Sequence, residues 1–288
     1  MILETNQTKW DFELLDTGGG SRLERWGGVI LVRPDPQAIW QKSLDETEWQ
    51  KAHAIFFTGR DGDKGKWEIQ KPLPKPWLAQ FQNLRFLLKL SPFKHTGLFA
   101  EQSAQWKWML GKIPESGPKP KVLNLFAYTG GATAVLAQAG CLVTHVDASK
   151  PAITWANENY QLNNLPKENV RWILDDAVKF VKREIKRGIK YDGILLDPPA
   201  FGHSPSGKTW KFAQDVPGLL QDCVALLSEN AKFLLLNAYA TNSSALAVNN
   251  LLEDTGKKLG GKIEFGELCL EQKNHRLIST GIFARWSK

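Results

Sequence analysis

The chain has 288 residues, 42% of them hydrophobic and 23% charged, with 37 lysines and arginines against 30 acids and a net charge of +7. This length holds one large domain or two modest ones with full cores, and the balance is that of a soluble globular protein rather than a disordered one. No apolar run is long enough for a bilayer and the N-terminus lacks a basic-then-apolar signal layout, so a cytoplasmic protein without membrane association is expected.

The moderately basic surface suits an anionic partner such as nucleic acid. Cys141, Cys223 and Cys269 are odd in number and widely spaced, which fits neither a disulfide framework nor a zinc site. They read as small packing residues. His53, His95, His145, His203 and His275 are scattered without metal spacing, and no metal is expected.

Strand patterns fill the first part of the chain. Residues 10–16 alternate, the turn Thr17-Gly18-Gly19-Gly20-Ser21 follows, and residues 22–26 and 29–33 continue an antiparallel meander ended by Pro34 and Pro36. Residues 52–58 and 67–70 form a strand pair around Arg60-Asp61-Gly62-Asp63, and 78–90 hold two more strands. Eight of the twelve tryptophans fall at or before Trp108; they are expected mostly to fill a small β core, the alternative being to stack single-stranded bases. A helix over 101–112 leads to a linker with Pro114, Gly117, Pro118 and Pro120. The expected division is a strand-rich domain over 1–96 with a candidate role in substrate recognition, a connecting helix and linker over 97–120, and a third region over 121–288.

From residue 121 strands and helices alternate, the sign of a parallel sheet covered on both faces. Strands are expected at 121–126, 142–147, 170–174, 191–197, 232–237, 263–270 and 281–286, and helices at 131–139, 151–163, 177–187, 210–227 and 243–258. The last two strands are joined too closely for a parallel crossover and pair antiparallel. The fold class is α/β, a seven-stranded doubly wound sheet with its last strand antiparallel and a smaller strand-rich N-terminal domain.

Ligands of such sheets bind at the carboxyl ends of strands where the order reverses. The first strand ends in Phe126-Ala127-Tyr128-Thr129-Gly130, where small residues admit a ligand to the backbone and the next helix offers free N–H groups. The second ends in Asp147-Ala148, and a carboxylate there accepts from both ribose hydroxyls of an adenosine. No G-x-G-x-x-G occurs, which disfavours a dinucleotide over S-adenosylmethionine. After the third strand, Asp175 or Asp176 can accept from the adenine amine; Asp176 is favoured, with a helix N-cap as its other reading. The fourth strand runs into Asp197-Pro198-Pro199-Ala200-Phe201. Two prolines stiffen the backbone and remove two N–H donors, so carbonyls and a carboxylate make a ring of acceptors for a planar base, with Phe201 as a stacking platform. Asp197, Pro198, Pro199 and Phe201 are the candidate catalytic residues.

The runs VLNLFAYTGG, VDAS, DDAVKFV and DGILLDPPAF resemble the class I S-adenosylmethionine-dependent methyltransferases, and within them the bacterial group that modifies 23S ribosomal RNA. Lys94-His95-Thr96-Gly97-Leu98-Phe99-Ala100-Glu101-Gln102 is similar to a segment of the same group. The resemblance covers about residues 94 to 240. It implies S-adenosylmethionine as cofactor, ribosomal RNA as partner, and cofactor contacts at Phe99 and Gln102, which join the strand-end candidates Phe126, Ala127, Thr129, Gly130, Asp147, Ala148, Asp176 and Asp197. Relatives acting on cytosine carbon 5 need a cysteine nucleophile; neither 197–201 nor 237–241 contains one, so a base nitrogen is the expected acceptor. Some relatives carry an N-terminal RNA-binding PUA domain, for which this chain has no room.

Three other readings stand beside this one. An acceptor ring can also hold a protein amide. Residues 202–209 match G-x-x-x-x-G-K-[ST], a phosphate loop, although four residues separate it from its strand; a basic flap with Lys208, Trp210 and Lys211 fits better. The third is a non-catalytic RNA-binding module. Lys179, Lys182, Arg183, Lys186, Arg187 and Lys190 lie on one helix face opposite Val178, Val181, Ile185 and Ile189, either as an RNA phosphate track or a solvated face. The oligomeric state has no signature here.

Overall fold

The computed structural model describes residues 1–6, 10–59, 64–203 and 209–288. In chain order the first elements are β1 (Ile2–Thr5), β2 (Phe12–Gly18), β3 (Ser21–Trp26), β4 (Val29–Pro34), α1 (Glu46–Trp49), β5 (Ala54–Thr58), β6 (Gly65–Ile69), β7 (Leu78–Phe81), β8 (Leu84–Leu87) and α2 (Gln102–Leu110). An alternating series follows: β9 (Lys121–Leu125), α3 (Gly131–Gln138), β10 (Leu142–Asp147), α4 (Lys150–Leu162), β11 (Val170–Leu174), α5 (Ala177–Lys186) and β12 (Gly193–Leu196). The chain closes with β13 (Phe201–His203), β14 (Thr209–Lys211), α6 (Phe212–Leu226), β15 (Phe233–Ala238), α7 (Ala245–Gly256), β16 (Lys262–Glu271) and β17 (Leu277–Ser287). Two compact units result: an α/β unit of residues 1–4, 104–268 and 280–288, and a strand-rich unit of residues 5–103 and 269–279.

The α/β unit carries a sheet in the order β1-β16-β17-β15-β12-β9-β10-β11. β9 pairs parallel with β10 on one side and with β12 on the other, so the order reverses there. β12 and β15 are parallel, and β17 is antiparallel to β15. All seven expected strands form. An eighth, β1, joins the outer edge; its approach requires the glycine at 266, where a Cβ would lie 1.8 Å from the Ile2 carbonyl oxygen. Every residue of β12 and β15 is buried, as expected of strands covered on both faces.

The helices follow local rules. Ser149 caps α4 and Ser244 caps α7 through their hydroxyls. α6 buries Phe212, Val216, Leu219, Leu220, Cys223 and Leu226 along one stripe; each large apolar side chain there stabilises by about 1.5–3 kcal/mol. This helix starts two residues later than expected, because Trp210 and Lys211 are drawn into the hairpin β13–β14. α5 also departs from expectation. It buries Phe180 and Glu184, while Ile185 and Ile189 are exposed. Glu184 is held inside because the Tyr191 hydroxyl donates to it over 2.7 Å and Arg187 pairs with it at 3.2 Å.

In the strand-rich unit the sheet order is β2-β3-β4-β5-β6. β2, β3 and β4 form the expected antiparallel meander, whereas β4 and β5 are parallel. Trp26, Trp49 and Trp77 are buried, and each indole N–H is satisfied, by Glu24, Asp16 and the Trp26 carbonyl respectively. This is the core role expected of these tryptophans. The turn at 60–63 lies outside the described residues.

Candidate active site

The registers of the α/β unit align the strand ends. Leu125 pairs with Val146 and with Leu196, and Asp147 with Leu174. Phe126, Asp147, Asp175 and Asp197 therefore end four adjacent strands in one row. This row is where a doubly wound sheet binds its ligand.

The loop after β9 is held in an unusual backbone. Phe126 (φ 56°), Tyr128 (φ 49°) and Gly130 (φ 80°) are all left-handed, and two of the three are not glycine. Such residues cost of order 1–3 kcal/mol each and persist where surrounding contacts over-determine them. Those contacts are present. Ala127 N–H donates to the Val146 carbonyl at 3.1 Å, Tyr128 N–H to Asp147 Oδ2 at 2.8 Å, and Asn159 Nδ2 to the Thr129 carbonyl at 3.0 Å. A Cβ on Gly130 would come 3.0 Å from Ala156 Cβ. Gly130 N-caps α3 without a side-chain bond, leaving first-turn N–H groups that no helix carbonyl reaches.

Below this loop lies a buried polar chain. Asn124 Nδ2 donates to Thr133 Oγ1 at 2.9 Å, and Thr133 Oγ1 lies 2.9 Å from His145 Nδ1. His145 is fully buried and its Nε2 has no hydrogen-bond partner among the described residues. Burial pushes its pKa from 6.5 to about 3, so the ring is neutral. Sequence reasoning gave these residues no role; their only signal is polar side chains inside apolar elements.

Asp147 accepts from Tyr128 N–H through Oδ2 and from Ser149 N–H through Oδ1, each at 2.8 Å. Burial raises its pKa, and the backbone N–H groups of Ser149, Tyr128 and Ala148 oppose the rise. A carboxylate has about four lone-pair sites, so capacity remains for a ribose hydroxyl. Of the two acids after β11, Asp176 caps α5, accepting from Lys179 N–H at 3.0 Å, and Asp175 pairs with Arg183. Capping engages Oδ1 of Asp176. The donor and acceptor set of this row therefore suits an adenosine-containing cofactor.

At the fourth tip, Asp197 N–H donates to the Leu125 carbonyl at 3.4 Å. Pro198 is buried and Pro199 exposed, and Phe201 is 53% exposed. Trp210 Nε1–H donates to the Pro199 carbonyl at 2.8 Å, and its ring lies 5.3 Å from that of Phe126. Residues 204–208, with Lys208 and most of the phosphate-loop match, lie outside the described residues. A phosphate loop passes directly into a helix, whereas Thr209–Lys211 is a strand paired with Phe201–His203.

Phe99 and Gln102 belong to the strand-rich unit, where the Phe99 ring lies 4.9 Å from that of His95 and Gln102 N–H donates to the Phe99 carbonyl at 3.2 Å. The three cysteines are buried and unbridged. Among the described residues no group of three or more His, Cys, Asp or Glu is placed to hold a metal, and no helix is long and apolar enough to cross a membrane.

A doubly wound sheet of this order, with a row of acids and a left-handed loop at its strand ends and two prolines after the fourth strand, has the architecture of a class I methyltransferase. The model of the S-adenosylmethionine-dependent methyltransferase family matches residues 49–272, and the chain belongs to that family. S-adenosylmethionine is its cofactor. The structure is similar to that of a SAM-dependent methyltransferase from Agrobacterium tumefaciens, at TM-score 0.94 and 39% identity over 100% of this chain and 93% of that one. In sequence it is 30% identical over 218 residues to a ribosomal RNA large subunit methyltransferase K/L of Hahella chejuensis, covering 70% of this chain and 29% of that protein. The enzyme of that name from Pseudoalteromonas atlantica is 32% identical over 191 residues, 65% of this chain and 26% of its own. The chain thus spans between a quarter and a third of the length of these two relatives.

Proposed function

We propose that this enzyme methylates a base nitrogen in RNA, with 23S ribosomal RNA as the substrate. The observation that supports the reading is the row of strand ends, which has Phe126, Asp147 and Asp176 on the same edge as Asp197-Pro198-Pro199. The cofactor supplies an electrophilic methyl group on a sulfonium, and transfer from it depends mainly on alignment. In this reading Asp147 and Ala148 hold the ribose and Asp176 Oδ2 accepts from the adenine amine. Ala127, Thr129 and Gly130 leave room for the amino-acid part. Asp197 and the carbonyls of Pro198 and Pro199 accept N–H groups of the base, and the exposed Phe201 stacks on it.

Nitrogen rather than carbon as acceptor is supported by the cysteines. None lies at 197–201 or 237–241, all three are buried, and burial pushes the Cys141 thiol up to about 12. An attacking thiolate is therefore missing from the described site. RNA as substrate is supported by the names of the relatives and by the net charge of +7. Residues 1–96 are assigned a part in recognising that RNA, and the cytoplasm is the matching location.

The test is to incubate the enzyme and labelled cofactor with total RNA and total protein from cells lacking it. Label in RNA at a mapped base nitrogen is the expected result. Label confined to protein would replace this reading with amide methylation, and RNA binding without transfer would make the protein a binding module.

A further inference from the structure

We propose that Trp210 determines acceptor specificity by standing in the acceptor's place: without substrate, its indole N–H occupies the Pro199 carbonyl, so an acceptor enters only by supplying an N–H donor of its own. This rests on the reading of residues 197–201 as the acceptor loop.

Three observations converge on the ring. First, Nε1–H of Trp210 donates to the Pro199 carbonyl oxygen at 2.8 Å. The two prolines offer no N–H, and the carbonyl of the second is taken by the protein itself. Second, the ring lies 5.3 Å from Phe126 at an interplanar angle of 53°. Phe126 ends the strand beside the one that ends in Asp197, so the indole bridges the cofactor loop and the acceptor loop. Third, the hairpin lies beside the prolines, with room at Gly202 for a Cβ in ordinary van der Waals contact. Trp210 pairs with Gly202, and a Cβ on Gly202 would meet Pro199 Cγ at 3.5 Å and Trp210 Cβ at 3.9 Å.

An indole is a planar bicycle with one ring N–H, much like the donor edge of a purine. A resident group of this shape fills the space a base needs and pairs the carbonyl a base uses. Displacing it leaves that carbonyl unpaired unless the newcomer restores the bond. Sites built this way reject analogues that lack the donor far more strongly than apolar pockets reject a change of size. Trp210 is thus a competitor that lowers affinity for every acceptor and lowers it most for those without an N–H group.

Trp210→Phe tests this, because it keeps an aromatic ring and removes only the N–H. The KM for acceptor RNA should fall by roughly two- to tenfold, the equivalent of one neutral hydrogen bond, with the change in KM rather than kcat and with cofactor affinity unmoved. A raised KM or a drop in kcat of about tenfold or more would mean that Trp210 grips the acceptor, and the proposal would be wrong. Unchanged constants would also overturn it. A second readout does not need turnover. In the ¹H–¹⁵N spectrum the indole cross-peak missing from Trp210→Phe identifies this residue. It should lose the downfield position of a hydrogen-bonded indole N–H on adding acceptor RNA and keep it on adding S-adenosylmethionine alone; retention of that position with RNA that the wild type methylates refutes the displacement. If label transfer goes to protein instead, the RNA reading fails separately, and the same two measurements with the labelled protein fraction still decide the role of Trp210.

Discussion

The backbone N–H of Tyr128 donates to Asp147 Oδ2 over 2.8 Å, so the carboxylate that ends β10 also orders the left-handed loop that follows β9. One side chain joins two adjacent strand ends. The conformation of the loop and the position of the acid are therefore a single arrangement, and a change in either reaches both.

Asp147→Asn follows from this. The amide can keep one acceptor oxygen, but its NH₂ must then face either Tyr128 N–H or Ser149 N–H, donor against donor. An unpaired buried amide costs about 1–3 kcal/mol, and urea unfolding should show that loss. Calorimetry should show cofactor affinity lower by about tenfold or more. An unaltered Kd for S-adenosylmethionine would remove Asp147 from the cofactor site.

Gly130→Ala and Gly140→Ala form a matched pair. Both glycines are left-handed, at φ 80° and 88°, so each alanine should cost about 1–2 kcal/mol in backbone strain. A Cβ at 140 meets nothing within 4 Å, whereas one at 130 comes 3.0 Å from Ala156 Cβ and 3.7 Å from His145 Cε1. Denaturation should show the larger loss for Gly130→Ala, and that variant alone should lose cofactor affinity. Equal behaviour of the two would show that contacts at residue 130 do not shape the site.

His145 predicts acid sensitivity. Its folded pKa is depressed from 6.5 to about 3. Above about pH 6.5 both states carry a neutral ring and its stabilising contribution is complete. As pH falls from 6.5 towards 3 the unfolded chain takes up a proton that the folded protein excludes, and stability is lost. The limiting slope is about 1.4 kcal/mol per pH unit for one such group. His95, pushed by burial to about 3 as well, contributes in the same window, so unfolding free energies should fall between pH 6.5 and pH 4, and His145→Gln should reduce the slope by about 1.4 kcal/mol per pH unit. An unchanged slope in the variant would assign the acid sensitivity to other groups.

The exposed face of α5 can be tested by salt. Arg183 and Arg187 are paired with Asp175 and Glu184, which leaves Lys182 and Lys186, both exposed, as the clearer candidates for phosphate contacts. If they bind RNA, Lys182→Glu with Lys186→Glu should weaken RNA affinity and reduce the slope of log K against log salt by roughly 1.5. Cofactor affinity should not move. An unaltered salt slope would make this a solvated face.

Much of the architecture was legible locally. The ends of β9, β10 and β11 fall within a residue of those expected, because alternation and polar punctuation are properties of a few consecutive residues. The same signals put Asp147 at the end of β10 and Asp197 just beyond β12. The helix expected over 210–227 was equally readable and forms as α6, starting at Phe212.

Other features depend on residues far apart in the chain. Thr17 bonds Gln272 at 2.5 Å, which places residues 269–279 with the N-terminal strands; no window of sequence contains both partners. β1 was missed because four residues carry too little pattern to announce a strand, and its place is set by the bare backbone at Gly266. The left-handed residues Phe126 and Tyr128 are not ones whose chemistry favours that conformation, and contacts with Asp147, Val146 and Asn159 hold it. Asp175 and Asp176 divided their work according to where Arg183 and the first turn of α5 fell. The amino-acid order thus determined the strands, the helices and the residues at the strand ends, since these follow from near-neighbour chemistry. Folding decided which donor meets which acceptor there, since hydrogen bonds require distances and angles that only the packed chain sets.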